Sequence, residues 1–279
     1  MKHNFFNLKY NQYYISKNKK NNFTKNKYWS DFLNFKDPDG KIRNLLNEKK
    51  KKLKDLSNEI SFIKKEFKEI TKPRIIDLGS GLSFFLSAFS SKWKKYGVEL
   101  SDLAIEQAND NSKILKLDLE KKLSNKILKE LGKFDVVFSY HVIEHLNKPE
   151  VFIQNAYNLL KKNGYFILGT PNFDSACARR FKKRYRFYKD NTHISFFSEN
   201  SLFRLLDDNG FDVKEVDYPY FETDHFTKKN LIRIFNFKKV SPPFYGNIMT
   251  FYNQKKSKSL IKKSLDYKIA TAKKLFRKK

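Results

Sequence analysis

Beyond Lys72-Pro73 the chain alternates between two textures, and this alternation constrains its fold more than any other feature. Five apolar, β-type runs follow one another: RIIDLGS (74–80), KYGVEL (95–100), KILKLDL (113–119), FDVVFSY (134–140) and GYFILGTP (164–171). Helical stretches lie between them at 82–92, 101–109, 120–131 and 148–162. Strands with near-continuous apolar character, each followed by a helix, are buried on both faces, which is the pattern of a parallel sheet with helical crossovers. SLFRLLDDNGF (201–211) adds a helix stopped at Asn-Gly, FDVKEVDYP (211–219) a sixth strand, and GNIMTFYNQK (246–255) a seventh, antiparallel one. The expected fold is therefore α/β: a Rossmann-like, doubly wound, mostly parallel seven-stranded sheet with helices on both faces. It would occupy 73–255, between an N-terminal basic, helical extension (1–72) and a basic C-terminal helix or tail (256–279). Segments 172–197 and 219–245 are long connections expected to cover the carboxyl edge of the sheet. No internal repeat is evident.

Composition sets the outer limits. A chain of 279 residues that is 40% apolar and 16% aromatic can bury a large core. No apolar run is long enough to span a membrane, and MKHNFFNLKYNQYYISKNKK lacks the unbroken apolar centre of a signal peptide. The single cysteine, Cys177, excludes an intramolecular disulfide and a multi-cysteine metal cage. A cytoplasmic protein is expected, with peripheral contact at the inner face of the membrane as an option. The formal net charge of +28 points to polyanions such as RNA or acidic lipid. Lys far outnumbers Arg, however, and Asn, Ile and Phe are abundant, so an AT-rich genome would explain part of that charge.

Residues 1–40 show no clear period and suggest irregular structure with a short helix around Tyr28–Phe35. From Lys41 to Ile70, the apolar residues Leu53, Leu56, Ile60, Ile63, Phe67 and Ile70 recur at spacings of three and four, an amphipathic helix docked on the following domain. In the tail, Ile261, Leu265, Ile269 and Phe276 share a helical face, which suits docking, an acidic membrane or RNA.

The chemistry concentrates at strand ends. In IIDLGSGLS a buried strand ends at Asp77, and Gly79 and Gly81 form a tight turn expected to open a helix, bringing backbone N–H groups near a ligand. Glu99 ends the second strand about 20 residues after the loop, where a carboxylate accepts from ribose hydroxyls. Asp118 ends the third, within reach of an adenine amino group. The third glycine of G-x-G-x-x-G would fall at Phe84, so a dehydrogenase fits poorly.

With these motifs the chain resembles the class I S-adenosylmethionine-dependent methyltransferases over about 73–218, reaching to 255 at most. Asp77-Leu-Gly-Ser-Gly matches their first motif, although Ser83 stands where many members carry a further glycine. FDVVFSYHVIEHL and LLKKNGYFILGTPN match their fourth- and fifth-strand motifs. The resemblance implies S-adenosylmethionine as cofactor, with Asp77, Gly79, Gly81, Glu99, Asp118, Leu119 and Tyr140 as its contacts.

After the fourth strand, His141, Glu144 and His145 form H-x-x-E-H, a metallopeptidase pattern when read alone. Asn147, Pro149 and Glu150 instead look like a helix start with Asn147 as its cap, which puts the histidines on a short turn. Ubiquinone-pathway and small-RNA 2′-O-methyltransferases carry E-x-x-E-H here and bind a divalent ion. His141 replaces the first carboxylate, so no divalent metal is expected, and His141, Glu144 and His145 would be its ligands if there were one. His145 and His193 are the candidate catalytic bases, with a packed role for His193 equally open. His141, Arg180, Arg184, Arg186 and Tyr188 are candidate substrate contacts. The last four come from RRFKKRYRFYK, whose cations and rings suit a phosphate-bearing or sugar substrate.

The TPN-x-D-S segment (170–175) and T-H-x-x-x-F-S (192–198) resemble a methyltransferase group with members linked to surface-sugar and lipid modification. The leading expectation is an O-methyltransferase acting on a hydroxyl of a sugar, glycolipid or nucleotide-linked small molecule. An RNA 2′-O-methyltransferase, a quinone-type O-methyltransferase and a catalytically silent RNA- or membrane-binding module are the alternatives. Oligomeric state is not legible.

Overall fold

The computed structural model describes residues 13–16, 35–38, 40–108 and 111–256. Its main sheet comprises Arg74–Leu78 (β1), Lys94–Val98 (β2), Lys113–Leu115 (β3), Phe134–Tyr140 (β4), Leu160–Pro171 (β5), Phe211–Asp217 (β6) and Ile248–Lys255 (β7). The spatial order is β6-β7-β5-β4-β1-β2-β3. Strands β1 to β5 pair in parallel, and β7 runs antiparallel between β5 and β6. The strand order reverses between β4 and β1, and the crevice beyond the carboxyl ends of such strands is where open α/β sheets hold their ligands.

The helices are Lys49–Asp55 (α1), Ser57–Glu66 (α2), Asp102–Glu106 (α3), Asn125–Leu131 (α4), Pro149–Leu159 (α5), Ala176–Phe181 (α6), Arg186–Lys189 (α7), Glu199–Asp208 (α8) and Lys228–Arg233 (α9). Successive strand side chains face opposite ways, so the sheet separates two apolar layers. Ile75, Val136 and Phe138 pack with Ile60 and Ile63 of α2 and with Phe85 and Phe89. Ile76, Leu78 and Val137 pack with Phe152 and Ile153 of α5 and Leu202 of α8. Phe85 stacks on Phe138 at 3.6 Å between ring centroids, and truncating such a buried ring to Ala typically costs about 3–5 kcal/mol. A third cluster, including Phe173, Phe181, Tyr185 and Phe196, supports the first cover segment. The sheet face also receives Tyr14, beside the short pairing of Ile15–Ser16 with Ser195–Phe196.

Four expectations change. The stretch 82–92 is no α-helix but an irregular segment with a single 3-10 turn at Leu86–Ala88. Ser83 adopts φ 57°, a left-handed conformation that interrupts helical propagation, and Phe85, Leu86 and Phe89 all turn inward. The helix of 41–70 is divided at Leu56 into α1 and α2, although the Leu56 N–H still reaches Lys52 O and the Ile60 N–H reaches Leu56 O. It ends at Glu66, which leaves Ile70 exposed. Asn147 does not cap α5. Lys148 holds the cap position without a side-chain bond, and Glu120, from a distant loop, accepts from the Asn147 and Lys148 N–H groups. Finally, β5 begins at Leu160, directly at the end of α5. The helix expected around Tyr28–Phe35 and the basic helix of the C-terminal tail lie outside the described residues, apart from the ends of those segments.

Candidate functional site

Beyond the carboxyl ends of β1, β2 and β4 opens a cavity of about 520 Å³. Its walls come from the glycine loop, the turn after β4, helix α1 and both cover segments.

At the glycine loop, the N–H groups of Gly79 and Ser80 both donate to Val98 O, at 2.8 and 2.9 Å, folding the chain back toward β2. Gly79 has φ 87°, and a Cβ there would lie 2.3 Å from Val142 Cγ2, so only glycine fits. Glu99 closes the loop: its Oε2 accepts from Gly81 N–H at 3.0 Å, and its Oε1 accepts from Leu100 and Ser101 N–H at 2.8 and 2.9 Å. Because 82–92 is not helical, the loop offers no helix N-terminus, and only its own amides and side chains can meet a ligand.

Asp77 is 4% exposed, and its carboxyl accepts no hydrogen bond among the described residues. Burial pushes its pKa up to about 8; Lys52 opposes this and the Glu99 charge adds to it. Ser80 Oγ, on the cavity wall, is also buried without a partner among the described residues. An unsatisfied buried carboxyl and hydroxyl beside a glycine loop fit a polar, cation-bearing ligand.

The structure distributes the other cofactor candidates unevenly. Gly79, Gly81, Glu99, Leu119 and Tyr140 line the cavity, as does Leu117. Asp118 does not. Its Oδ1 accepts from Glu120 N–H at 3.0 Å and its Oδ2 lies 3.9 Å from Lys121 Nζ, so it organises the turn after β3, and the flanking leucines form the wall.

The acceptor side is built on the turn after β4. His141 adopts φ 60°, and its N–H donates to Gly169 O at 2.9 Å. The turn itself is a 3-10 helix, Ile143–His145. Glu144 is fully buried beneath it: Oε1 accepts from His141 Nδ1 at 2.8 Å and Oε2 from the Thr170 hydroxyl at 2.9 Å. Its backbone carbonyl accepts from Ile194 N–H at 2.9 Å, tying the turn to the cover. Burial alone would raise this carboxyl, but the His141 hydrogen bond and charge hold it ionised, with a pKa of about 2. His141 itself is lowered by burial, against the pull of Glu144.

His145 and His193 approach each other with ring centroids 4.8 Å apart. Both orient through a backbone carbonyl: His145 Nδ1 donates to Thr192 O at 3.1 Å, and His193 Nδ1 donates to Phe187 O at 3.0 Å. These bonds select the tautomer whose Nε2 carries the lone pair. Burial pushes His193 down to about 4, so it is neutral at pH 7. Its Nε2 lies 3.6 Å from Asp190 Oδ2. Burial would raise Asp190, but the facing imidazoles His193 and His145 keep its carboxyl below the usual range.

Glu144, His145 and His193 offer ligand atoms within 4.8 Å of one another. This set differs from the sequence-derived one, because His141 spends its Nδ1 on Glu144 and His193 arrives from the cover.

Of the arginine-rich cover residues, Arg186 alone lines the cavity, and its Nη1 donates to Ser241 O at 3.3 Å. Arg180 stacks its guanidinium 3.9 Å over Phe237, and Arg184 is exposed, its carbonyl accepting from Ser241 N–H at 3.0 Å. Tyr188 turns into the core, donating to Phe173 O at 3.0 Å. None of these three is on the cavity wall. The substrate role expected for Arg180, Arg184 and Tyr188 is thus not supported by their placement, because short helices and aromatic packing turn them outward or inward. Phe187, Tyr220, Phe244, Pro219 and Pro243 form that wall instead. Sequence reasoning missed Lys52, which is hidden in a lysine run, and Asp190, which carries no motif signal.

A methyltransferase-domain family model matches residues 43–216. The ubiquinone biosynthesis O-methyltransferase of Pelagibacter ubique is 29% identical over 141 residues, covering 49% of this chain and 59% of that protein. The chain thus spans under two thirds of that relative's length. The enzyme of the same name from Rickettsia canadensis is 26% identical, covering 56% of this chain and 70% of its own. Among solved structures, magnesium protoporphyrin IX methyltransferase from Synechocystis PCC 6803 with bound SAH superposes with a TM-score of 0.54 at 13% identity. That match covers 82% of this chain and 94% of the other. An S-adenosylmethionine-dependent methyltransferase from Clostridium acetobutylicum gives 0.52 at 12%, covering 73% and 92%. At such identities the likeness shows the fold.

Proposed function

We propose that this chain, which belongs to the methyltransferase-domain family, is an S-adenosylmethionine-dependent O-methyltransferase whose acceptor is a hydroxyl on an aromatic ring. One observation carries the reading. Two imidazoles, His145 and His193, each with Nδ1 committed to a backbone carbonyl, line the cavity that holds the glycine loop. The cofactor supplies a methyl group already activated as a sulfonium. The chain's own residues hold the acceptor and take its proton. Transfer of the hydroxyl proton to His193 Nε2 places a positive ring 3.6 Å from the Asp190 carboxylate, which stabilises it. Aromatic and proline walls suit a flat apolar ring, and the relatives are named as O-methyltransferases of ubiquinone biosynthesis. A sugar or nucleotide-linked acceptor keeps one supporter, Arg186, on the wall.

The cofactor contacts proposed are Asp77, Gly79, Gly81, Glu99, Leu119 and Tyr140, with Asp118 acting on the turn. The test is transfer of labelled methyl to a panel of catechols, sugars and RNA. Labelling confined to sugars or RNA would remove the phenolic reading.

The cover also supports contact with an acidic lipid surface. Phe221 and Phe235 are 60% and 74% exposed, interleaved with the exposed Lys228, Lys229, Lys238 and Lys239. Among the described residues no helix is long and apolar enough to cross a membrane. Co-sedimentation with phosphatidylglycerol vesicles that weakens with salt is expected, and protein left in the supernatant rejects it.

A further inference from the structure

The cavity holds a cation that neither the sheet nor its motifs supply. Lys52 lies on α1, outside the strand–helix alternation, and lines the cavity with its Nζ 4.8 Å from the centre of the Tyr140 ring. Its neighbours are engaged. Arg43 pairs with Asp37 at 2.9 Å and with Glu48; Lys51 sits 3.8 Å from Glu48; Lys54 pairs with Asp224 at 2.6 Å. The Lys52 ammonium makes no hydrogen bond or ion pair among the described residues, and its one contact there is the face of Tyr140. Burial lowers its pKa, while Asp55, Asp77, Glu59 and Glu144 pull the other way.

Lys52 and Asp77 thus face one cavity with opposite charge potential, yet form no ion pair. A buried carboxyl and a half-buried ammonium that lack pairing partners are costly. A ligand carrying separated positive and negative charges would satisfy both. The amino-acid arm of the cofactor is such a ligand: its ammonium matches an acid, and its carboxylate matches an ammonium.

We infer that Lys52 binds the carboxylate of the cofactor's amino-acid arm, opposite Asp77, so that the N-terminal helix completes the cofactor site. This assignment rests on the reading of the cavity as an S-adenosylmethionine site. It makes α1 part of cofactor recognition, and it explains why a lysine on a helix otherwise studded with solvated lysines turns inward. Lys→Met keeps the length and helix propensity of the side chain and removes only the charge.

The test is a titration of two ligands by calorimetry: S-adenosylhomocysteine, which has the amino-acid arm, and 5′-methylthioadenosine, which lacks it. Lys52→Met should weaken S-adenosylhomocysteine binding by at least roughly 30-fold and leave methylthioadenosine binding unchanged, which also reports that the variant is folded. Lys52→Arg should recover most of the loss. Equal loss for both ligands, or no loss for either, overturns the assignment. So does unchanged S-adenosylhomocysteine binding with a raised KM for the acceptor, which would place Lys52 on the acceptor instead. Wild-type protein that binds neither ligand brings down the cofactor reading itself, and this assignment with it.

Discussion

The two ends of the cavity are built on different principles. At the glycine loop the hydrogen bonds are short-range or run between neighbouring strands: Gly79 and Ser80 to Val98, and Gly81, Leu100 and Ser101 to Glu99. At the histidine turn the contacts cross long sequence distances. Glu144 meets Thr170 and Ile194, His145 meets Thr192, and His193 arrives from the cover. The first is a backbone device that shapes a binding loop. The second is a side-chain assembly, made by packing, that positions acid–base groups.

The largest expected effect tests the first device. Glu99→Ala removes a carboxylate that holds three backbone N–H groups, and cofactor affinity should fall by at least about 100-fold, measured by titration. Undiminished binding would show that the loop shapes itself without Glu99.

Next come the imidazoles. His145→Ala and His193→Ala should each lower turnover, by roughly 10²–10⁴-fold for the one that acts as base, while cofactor binding stays intact. Full activity in both variants would remove the acid–base role, and lost cofactor binding would mean that the two ends are not separable. Exhaustive chelation should leave turnover unchanged. Activity restored only by added divalent ion would instead make Glu144, His145 and His193 a metal centre.

The smallest effect concerns a buried carboxyl outside the cavity wall. Glu59 of α2 is buried and accepts from the Thr250 hydroxyl at 2.8 Å, and burial pushes its pKa up to about 7. Its folded-state pKa exceeds the unfolded value, so the native state holds the proton more tightly. Its contribution to stability is therefore full below the unfolded pKa and lost as pH rises from about 4.5 to about 7. Glu59→Gln should raise the melting temperature at pH 8 relative to wild type and show little difference at pH 4. Equal differences at both pH values would place the carboxyl outside this linkage.

This contrast also governs how much was legible beforehand. All seven strands, the antiparallel placement of β7 and the glycine loop follow from apolar runs, turn residues and local spacing. The segment 82–92 misled, because its apolar residues suit a helix while Ser83 takes a left-handed conformation and Phe85 is drawn onto Phe138. The cap of α5 misled in the same way: Asn147 has the right chemistry, but Glu120, far away in sequence, supplies the acceptor. The arginine-rich cover read as a substrate clamp, yet Arg180 spends its charge on Phe237 and Tyr188 packs against Phe173.

By itself, then, the sequence determined a parallel α/β sheet with a ligand loop at its carboxyl edge, because strand burial and glycine conformation are local properties. Only the tertiary structure decided that His193 joins His145, that Asp190 faces that ring and that Lys52 turns into the cavity. Those meetings depend on how the cover and the N-terminal helix pack across the sheet, and no local spacing encodes them.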